Sequence, residues 1–191
     1  MKFNKQVIPG ILLLIALSSL YRIIPGRPLG FAPQLAIALF CGSVFREKKY
    51  AFLVPLFSML VSDVIFEVLN RMGLTTISGF YGMGQVVNYL FILAVTMIGF
   101  FISRRNVLAV LAGSVGAAFF FYFASNTAVW IGGGLDINNQ PYPLTIQGLT
   151  NSLVAGLPFL RGSLQSTLLF SGILFGGYEL FTRFVRPTAI A

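Results

Sequence analysis

The sequence predicts an all-α, polytopic membrane protein with about six transmembrane helices in a single domain, residues 1–191. Charged residues make up 9% of the chain and hydrophobic residues 57%, whereas a soluble domain carries about 25% charged residues. The apolar residues form runs comparable with the ~20 residues that a membrane-spanning helix needs. Short basic clusters separate these runs. So few charges cannot cover a water-facing surface.

Six apolar regions are the helix candidates. In chain order they are Val7–Ile24, Phe31–Phe45, Tyr50–Leu69, Gly84–Ser103, Val107–Ile131 and Thr145–Phe184. The second is short and opens at Pro33, whose fixed φ suits a first helical turn. The sixth is too long for one span. We expect Pro158 to divide it into a short outer helix and a spanning helix near Arg161–Phe184.

The basic residues divide unevenly between the two sides of the predicted bundle. With six spans, Arg22, Arg27, Arg71 and Arg161 fall on one side. The other side holds Lys2, Lys5, Arg46, Lys48, Lys49, Arg104, Arg105, Arg183 and Arg186. Because basic residues are enriched on the cytoplasmic side, this division predicts a bacterial cytoplasmic (inner) membrane protein with both termini cytoplasmic. A cleaved N-terminal signal peptide is the alternative; it would leave five spans.

Composition and residue types exclude several classes of function. The formal charge of +8 is spread over short clusters between apolar runs, which argues against nucleic-acid binding. The chain has no histidine, which removes His-based acid–base catalysis, most zinc sites and Ser-His or Cys-His nucleophiles. The single Cys41 lies in an apolar run and is typical of a small buried hydrophobe. No phosphate-binding loop is present, so the chain is not expected to be an ATPase. We expect no enzyme, cofactor or metal site.

Ionisable side chains inside the predicted spans are the first candidate site residues, because such groups are costly in lipid. Asp63 and Glu67 are four residues apart and share a helix face. Arg22 lies about 22 Å along the first region and Asp63 about 20 Å along the third, at about 1.5 Å per residue. Their matched depths and opposite charges predict a salt bridge. It would be an interhelical clamp, one wall of a pocket, or both.

Amide side chains extend this set. Asn126 interrupts the apolar stretch GAAFFFYFASNTAVW at Gly116–Trp130. Ser125 and Thr127 can hydrogen-bond to carbonyls of their own helix, but we expect Asn126 to lack such a partner and to face the bundle interior. Trp130, four residues on, shares its face. Asn126 would then bind a polar solute or hydrogen-bond to another helix.

We expect these groups to converge on an outward pocket with Arg161 and Gln165 of the sixth region. Tyr21 and Tyr89 could supply amphipathic walls. The predicted substrate-binding set is Arg22, Asp63, Glu67, Asn126, Trp130, Arg161 and Gln165. No catalytic and no metal-ligating residue is predicted.

Small-residue spacings indicate where helices cross closely. Gly172–Gly176 has the GxxxG spacing, and Ala38–Gly42 and Ala109–Gly113 are related to it. Such spacings let two helix backbones approach, and we expect packing inside the chain in preference to docking of a partner. Glu179 and Arg183 are four apart near the end of the sixth region, which predicts an interfacial i,i+4 pair.

Several stretches resemble a family of small, uncharacterised bacterial membrane proteins. They are Arg22 with Pro25, FAPQLAIALFCGSVF at Phe31–Phe45, FLVPLFSMLVSD at Phe52–Asp63, FASNTAVW at Phe123–Trp130, YPLTIQGL at Tyr142–Leu149 and LFGGYE at Leu174–Glu179. That family is similar to the substrate-binding (S) components of energy-coupling factor (ECF) transporters. The resemblance implies a six-helix, S-component-like bundle with an outward pocket, and a membrane coupling subunit with two ATPase subunits as partner.

Two alternative functions are therefore considered for a chain embedded in membrane lipid. The first is S-component-like binding of a small polar solute for uptake with a separate energising module. The alternative is a non-catalytic subunit or assembly factor of a larger membrane complex, which a packed interior without a cavity would favour. A membrane enzyme is less favoured, because intramembrane hydrolysis without histidine needs a Ser-Lys or paired-Asp arrangement. Asp63 is the one Asp inside a predicted span, and the lysines lie at the N-terminus and in one loop.

Overall fold

The computed structural model describes residues 8–185. Within them the backbone forms six α-helices and no strand, apart from one isolated bridge between Leu135 and Pro141. The helices are α1 (Ile8–Ile23), α2 (Gln34–Val44), α3 (Lys48–Arg71), α4 (Met83–Gly99), α5 (Val107–Ile131) and α6 (Ile146–Val185). The all-α prediction is confirmed for the described residues. α5 has the bounds that its apolar run predicted.

α6 runs unbroken through Pro158, so the predicted division of the sixth region at that proline is wrong. A proline removes one backbone N–H, but in a membrane helix the neighbouring helices can satisfy the backbone groups that this frees. Here Tyr122 of α5 donates its hydroxyl to the carbonyl oxygen of Leu153, 2.6 Å away. The carbonyl that Pro158 leaves without a helical donor is that of Val154, four residues earlier, so the Tyr122 bond supports the neighbouring carbonyl rather than the freed one.

α2 is the central helix of the bundle and packs against α3, α4, α5 and α6. Every residue from Gln34 to Gly42 is buried. A helix surrounded on all sides needs an apolar surface all round, and the run of Leu, Ala, Ile and Phe provides it. With 11 residues, α2 is about 16 Å long, roughly half of the ~30 Å hydrocarbon thickness. It is a buried core helix rather than a lipid-facing one.

Within residues 8–185, three helices are long and apolar enough to cross a membrane. They are α3, α5 and the Ile146–Arg183 part of α6. The shorter apolar helices are Gly10–Ile23, Gln34–Val44 and Met83–Gly99. Large apolar side chains such as Phe57 and Phe123 are exposed on the outside of the bundle, where lipid would contact them. The chain therefore has the character of a membrane protein, while the count of six spans and the location of the termini stay predictions.

The two ends of the bundle differ in charge. The end formed by connections 45–47 and 100–106 and the last turn of α6, here named the basic end, gathers Arg46, Lys48, Lys49, Arg104, Arg105 and Arg183. Lys48 Nζ lies 4.9 Å from the Phe100 ring centroid and Arg104 Nε lies 3.6 Å from Glu179 Oε1, so these segments meet. The predicted basic positions Lys2, Lys5 and Arg186 lie outside the described residues. The opposite end, with connections 24–33, 72–82 and 132–145, is named the loop end.

Small residues bring α2 and α4 into backbone contact. A Cβ on Gly42 would collide with the carbonyl oxygen of Thr96 and lie 2.9 Å from the Cα of Gly99. Ala38, one turn earlier, is fully buried. The prediction of internal packing is therefore confirmed for the Ala38–Gly42 spacing. It is wrong for Gly172–Gly176, since a Cβ built on either glycine would meet no atom within 4 Å beyond the adjacent backbone of its own helix.

Candidate functional site

A cavity of about 370 Å³ lies at the loop end of the bundle. All six helices contribute to its wall, together with connections 24–33 and 72–82. Two wall residues, Tyr81 and Phe159, are 42% and 48% exposed, so the cavity reaches the protein surface. Its volume falls within the range of about 300–1,000 Å³ that is typical of small-molecule sites. The cavity is the candidate binding site.

The wall combines a broad apolar surface with a few polar groups. Its apolar members include Leu35, Met59, Ile92, Phe121, Phe159 and Leu160. Its polar and charged members include Arg22, Arg27, Gln34, Asn88, Ser125 and Asn126. No carboxylate belongs to this wall among the residues that the structure describes. This mixture is what a site for a small organic molecule requires, with polar groups fixing orientation and apolar groups supplying contact area.

Gln34 is the most unusual member of the wall. It opens the central helix, is 6% exposed, and its Oε1 has no hydrogen-bond partner among the described residues. Its Nε2 faces the carbonyl oxygen of Ser18 at 3.4 Å. Because a carbonyl only accepts, this contact assigns the amide nitrogen to the Ser18 side and leaves the amide oxygen as the free acceptor. A buried polar atom without a partner costs about 1–3 kcal/mol. A side-chain rotation that brings Oε1 to the cavity would let a ligand donor complete the hydrogen bond.

Two arginines give the cavity its electrostatic character. Arg27, in the connection after α1, donates through Nε to the Arg22 carbonyl at 2.9 Å and through Nη1 to the Phe31 carbonyl at 3.1 Å. Burial, followed by repulsion from the Arg22 guanidinium, holds the pKa of Arg27 below its ordinary value. An arginine stays protonated even so. The cavity region therefore holds two guanidinium groups and one nearby carboxylate, that of Asp63. This excess of positive charge favours a neutral or anionic ligand over a cation.

Asp63 lies behind Arg22 rather than in the cavity. Its carboxylate is 1% exposed and forms a salt bridge with Arg22 Nη1, which confirms the predicted contact. Tyr89 donates its hydroxyl to Asp63 Oδ2 at 2.6 Å and Gln85 donates Nε2 to the same oxygen at 2.7 Å. Arg22 also donates to Ser62 Oγ at 2.6 Å. The network joins α1, α3 and α4, and it holds the guanidinium of Arg22 at the cavity wall.

Asn126 faces the bundle interior, as predicted, and lines the cavity. Its amide fills the space over Gly156 of α6, where any Cβ would collide with it. The expectation that Asn126 lacks a partner in its own helix is wrong, because Nδ2 donates to the Tyr122 carbonyl at 2.8 Å. That bond occupies the amide nitrogen, and Oδ1 has no donor among the described residues. Asn126 and Gln34 thus each offer a carbonyl oxygen as an acceptor.

Besides Asp63, four further predicted site residues lie outside the cavity wall. Glu67 pairs with the exposed Arg71 through a 2.7 Å contact between Oε1 and Nε. Trp130 donates its indole N–H to the Pro143 carbonyl at 2.8 Å and fastens the 132–145 connection. Arg161 and Gln165 are exposed on the outer face of α6. Gly162, between them, packs against the Leu29 carbonyl instead. The inward face of α6 was therefore assigned to the wrong residues.

Sequence reasoning missed Gln34, Arg27 and Gln85 as members of the site and its support. Gln85 and Tyr89 are four apart in the outer part of α4, and this spacing was a usable signal that both face one neighbour. Gln34 is the one strongly polar residue in an otherwise apolar helix run, which was a second signal. Arg27 follows Pro25 and Gly26 in a predicted connection, and nothing local distinguishes it from a solvated loop arginine.

The cavity wall carries hydrogen-bonding groups of both kinds. It offers amide oxygens as acceptors and guanidinium and amide groups as donors. Within residues 8–185 no group of three or more His, Cys, Asp or Glu side chains is placed to hold a metal ion. Cys41 is buried in α2, away from this wall.

The comparisons place the chain within a family. A model of a family of unknown function (DUF6580) matches residues 2–189, nearly the whole chain, so the protein belongs to that family. The part of the resemblance that pointed to an uncharacterised family is thereby confirmed. Comparison with the curated proteins found no match, and comparison with the solved structures found none either.

Proposed function

We propose that this protein binds a small polar organic solute in the loop-end cavity and hands it to a separate energising module for uptake, in the manner of an ECF S component. The observation that carries the proposal is the unpaired amide oxygen of Gln34, buried in the wall of a surface-connected cavity. A central helix gains nothing in stability from such a group. Its presence is explained if a ligand completes the hydrogen bond.

The wall defines the class of solute. Gln34 Oε1 and Asn126 Oδ1 require N–H or O–H donors on the ligand. Arg22 and Arg27 favour an acceptor or an anionic oxygen, with no opposing carboxylate in the described wall. Phe121 and Phe159 offer apolar faces for a ring or a short carbon skeleton. The proposed ligand is a neutral or anionic organic molecule with at least one N–H or O–H donor and an apolar part.

The alternative is a non-catalytic subunit or assembly factor of a larger membrane complex. A packed interior was the feature expected to favour it, and the loop-end cavity speaks against that expectation. The exposed apolar side chains of the bundle do not distinguish the two, because lipid and a partner subunit both suit them.

The test is the identity of what accompanies the chain when it is purified from native membranes in mild detergent. The proposal predicts release of a neutral or anionic small molecule, detected by mass spectrometry after denaturation, at up to one molecule per chain. The chain should release much less of it when Gln34→Leu is introduced. Consistent recovery of a stoichiometric membrane protein and no small molecule would favour the alternative and refute solute binding.

A further inference from the structure

A second cavity, of about 530 Å³, lies at the basic end between α5 and α6. Its wall has two distinct parts. Arg104, Arg105 and Arg183 surround its mouth, and Val107, Leu111, Leu168 and Phe175 form its apolar length. Val107 and Leu111 are 73% and 45% exposed, so the groove opens on the outer surface of the bundle. It lies at the opposite end from the solute cavity, and no residue belongs to both walls.

The mouth of the groove carries uncompensated positive charge. Glu179 is the one carboxylate among the described lining residues. It lies 3.6 Å from Arg104 Nε and 3.9 Å from Arg105 Nε, both long for charge-assisted hydrogen bonds. The predicted pair between Glu179 and Arg183 is wrong, since Glu179 contacts the 100–106 connection instead. Three guanidinium groups against one carboxylate leave a formal charge of +2 at the mouth.

The floor of the groove is built from glycines. Gly172 and Gly176 face it, and a Cβ built on either would meet no atom within 4 Å beyond the adjacent backbone of its own helix. Ser171 also lines the groove; it is buried and accepts a hydrogen bond from the hydroxyl of Ser114 of α5 at 2.9 Å. From Leu168 to Arg183 the groove extends about 22 Å at about 1.5 Å per residue. One leaflet is about 15 Å thick, half of the ~30 Å core.

We propose that this groove is a binding site for an anionic phospholipid. The headgroup phosphate lies among Arg104, Arg105 and Arg183, and one acyl chain lies along the floor formed by Gly172 and Gly176. Basic pockets between helices at the membrane interface recognise such headgroups. A soluble phosphate compound would satisfy the arginines but has no acyl chain to fill the apolar floor. The length, the charge at one end and the apolar floor together fit a lipid.

The experiment uses the full chain purified in detergent and three probes. These are dioleoyl phosphatidylglycerol, dioleoyl phosphatidylcholine and the soluble headgroup analogue glycerol 3-phosphate. Binding is measured by native mass spectrometry and by the rise in unfolding temperature. We expect phosphatidylglycerol to bind and to stabilise, and the other two to do neither at the same concentration. Equal binding of the zwitterionic lipid would overturn the charge argument, and equal stabilisation by glycerol 3-phosphate would overturn the lipid argument.

Two variants and one matched control locate the site. Replacement of Arg104, Arg105 and Arg183 by Gln should weaken phosphatidylglycerol binding roughly a hundredfold. The control replaces Arg46, Lys48 and Lys49 by Gln, which removes the same charge from the same end outside the groove. It should change binding much less, and an equal loss would refute the site. Gly172→Leu places a side chain on the floor at a position where a Cβ meets no neighbouring atom within 4 Å, so a folded variant that still binds the lipid normally would refute the acyl-chain position.

Discussion

Replacing Asp63 by Asn should destabilise the protein more than any other carboxylate-to-amide change in α3. The Asp63 side chain is 1% exposed and accepts hydrogen bonds from Arg22, Tyr89 and Gln85. An Asn offers one acceptor oxygen and turns an NH₂ group toward at least one of these donors. The change therefore removes the counter-charge of Arg22 and also leaves a buried donor without an acceptor.

The size of the effect follows from burial. Breaking a buried ion pair by removing one partner costs about 3–5 kcal/mol. The Arg22 side chain is 17% exposed and keeps the Ser62 hydroxyl as an acceptor, so the lower part of that range applies, about 3 kcal/mol. For a chain of this size, about 2–4 °C of unfolding temperature corresponds to 1 kcal/mol. The expected loss is therefore about 6–12 °C.

The assay is thermal unfolding of the purified protein in one detergent, followed by intrinsic fluorescence or scattering. Glu67→Gln is the matched control, because it makes the same chemical change one turn further along α3 at a pair whose arginine is 77% exposed. It should shift the unfolding temperature little. Tyr89→Phe should give an intermediate loss, since it removes one donor and keeps the ion pair. If Asp63→Asn shifts the temperature no more than Glu67→Gln does, the buried network does not hold α1, α3 and α4 together.

Three further predictions concern packing, topology and pH. Gly42→Ala should lower the unfolding temperature by about 2–12 °C, because the new methyl group meets the α4 backbone. Gly176→Ala should not lower it, because that methyl group enters open space. Equal effects of the two changes would contradict the close crossing of α2 and α4. Cysteines replacing Lys48 at the basic end and Asn139 at the loop end should label from opposite sides of a vesicle, and labelling of both from one side would refute the six-span topology. Backbone N–H donors in its own loop hold the pKa of Asp136 below its ordinary 3.8. The loop's stabilisation is therefore fully present above that value and lost as pH falls through the lower folded pKa. The expected sign is a smaller amide-exchange protection factor in acid, and an unchanged protection factor would contradict it.

The sequence was informative where one physical force decided the outcome. Apolar runs must be helical in lipid because backbone groups there need internal partners, and α5 has the bounds of its run. Arg22 and Asp63 were paired correctly from their depths and charges, since an unpaired charge at that depth is costly. Both inferences depend on the low polarity of the surrounding lipid rather than on details of packing.

Rotation of a helix about its axis was the harder problem. In a water-soluble helix the polar face marks the outside, but lipid is as apolar as a protein core, so this mark is lost. Arg161 and Gln165 were placed inward on depth alone and are exposed. Gln34 was overlooked because its burial results from the central position of α2, which depends on contacts with four other helices. No pattern within 11 residues encodes that position.

The central claim is that the loop-end cavity binds a neutral or anionic organic solute through Gln34. The most direct measurement is stabilisation of the purified chain by a panel of neutral, anionic and cationic solutes, with Gln34→Leu and Gln165→Leu compared. Gln34→Leu removes an unpaired buried oxygen and one long hydrogen bond, so without ligand its stability should lie between unchanged and about 2 kcal/mol higher. The account predicts that a neutral or anionic solute stabilises the wild type and Gln165→Leu but not Gln34→Leu. Stabilisation of Gln34→Leu by the same solute to the same degree, or stabilisation of the wild type by cations alone, would contradict it.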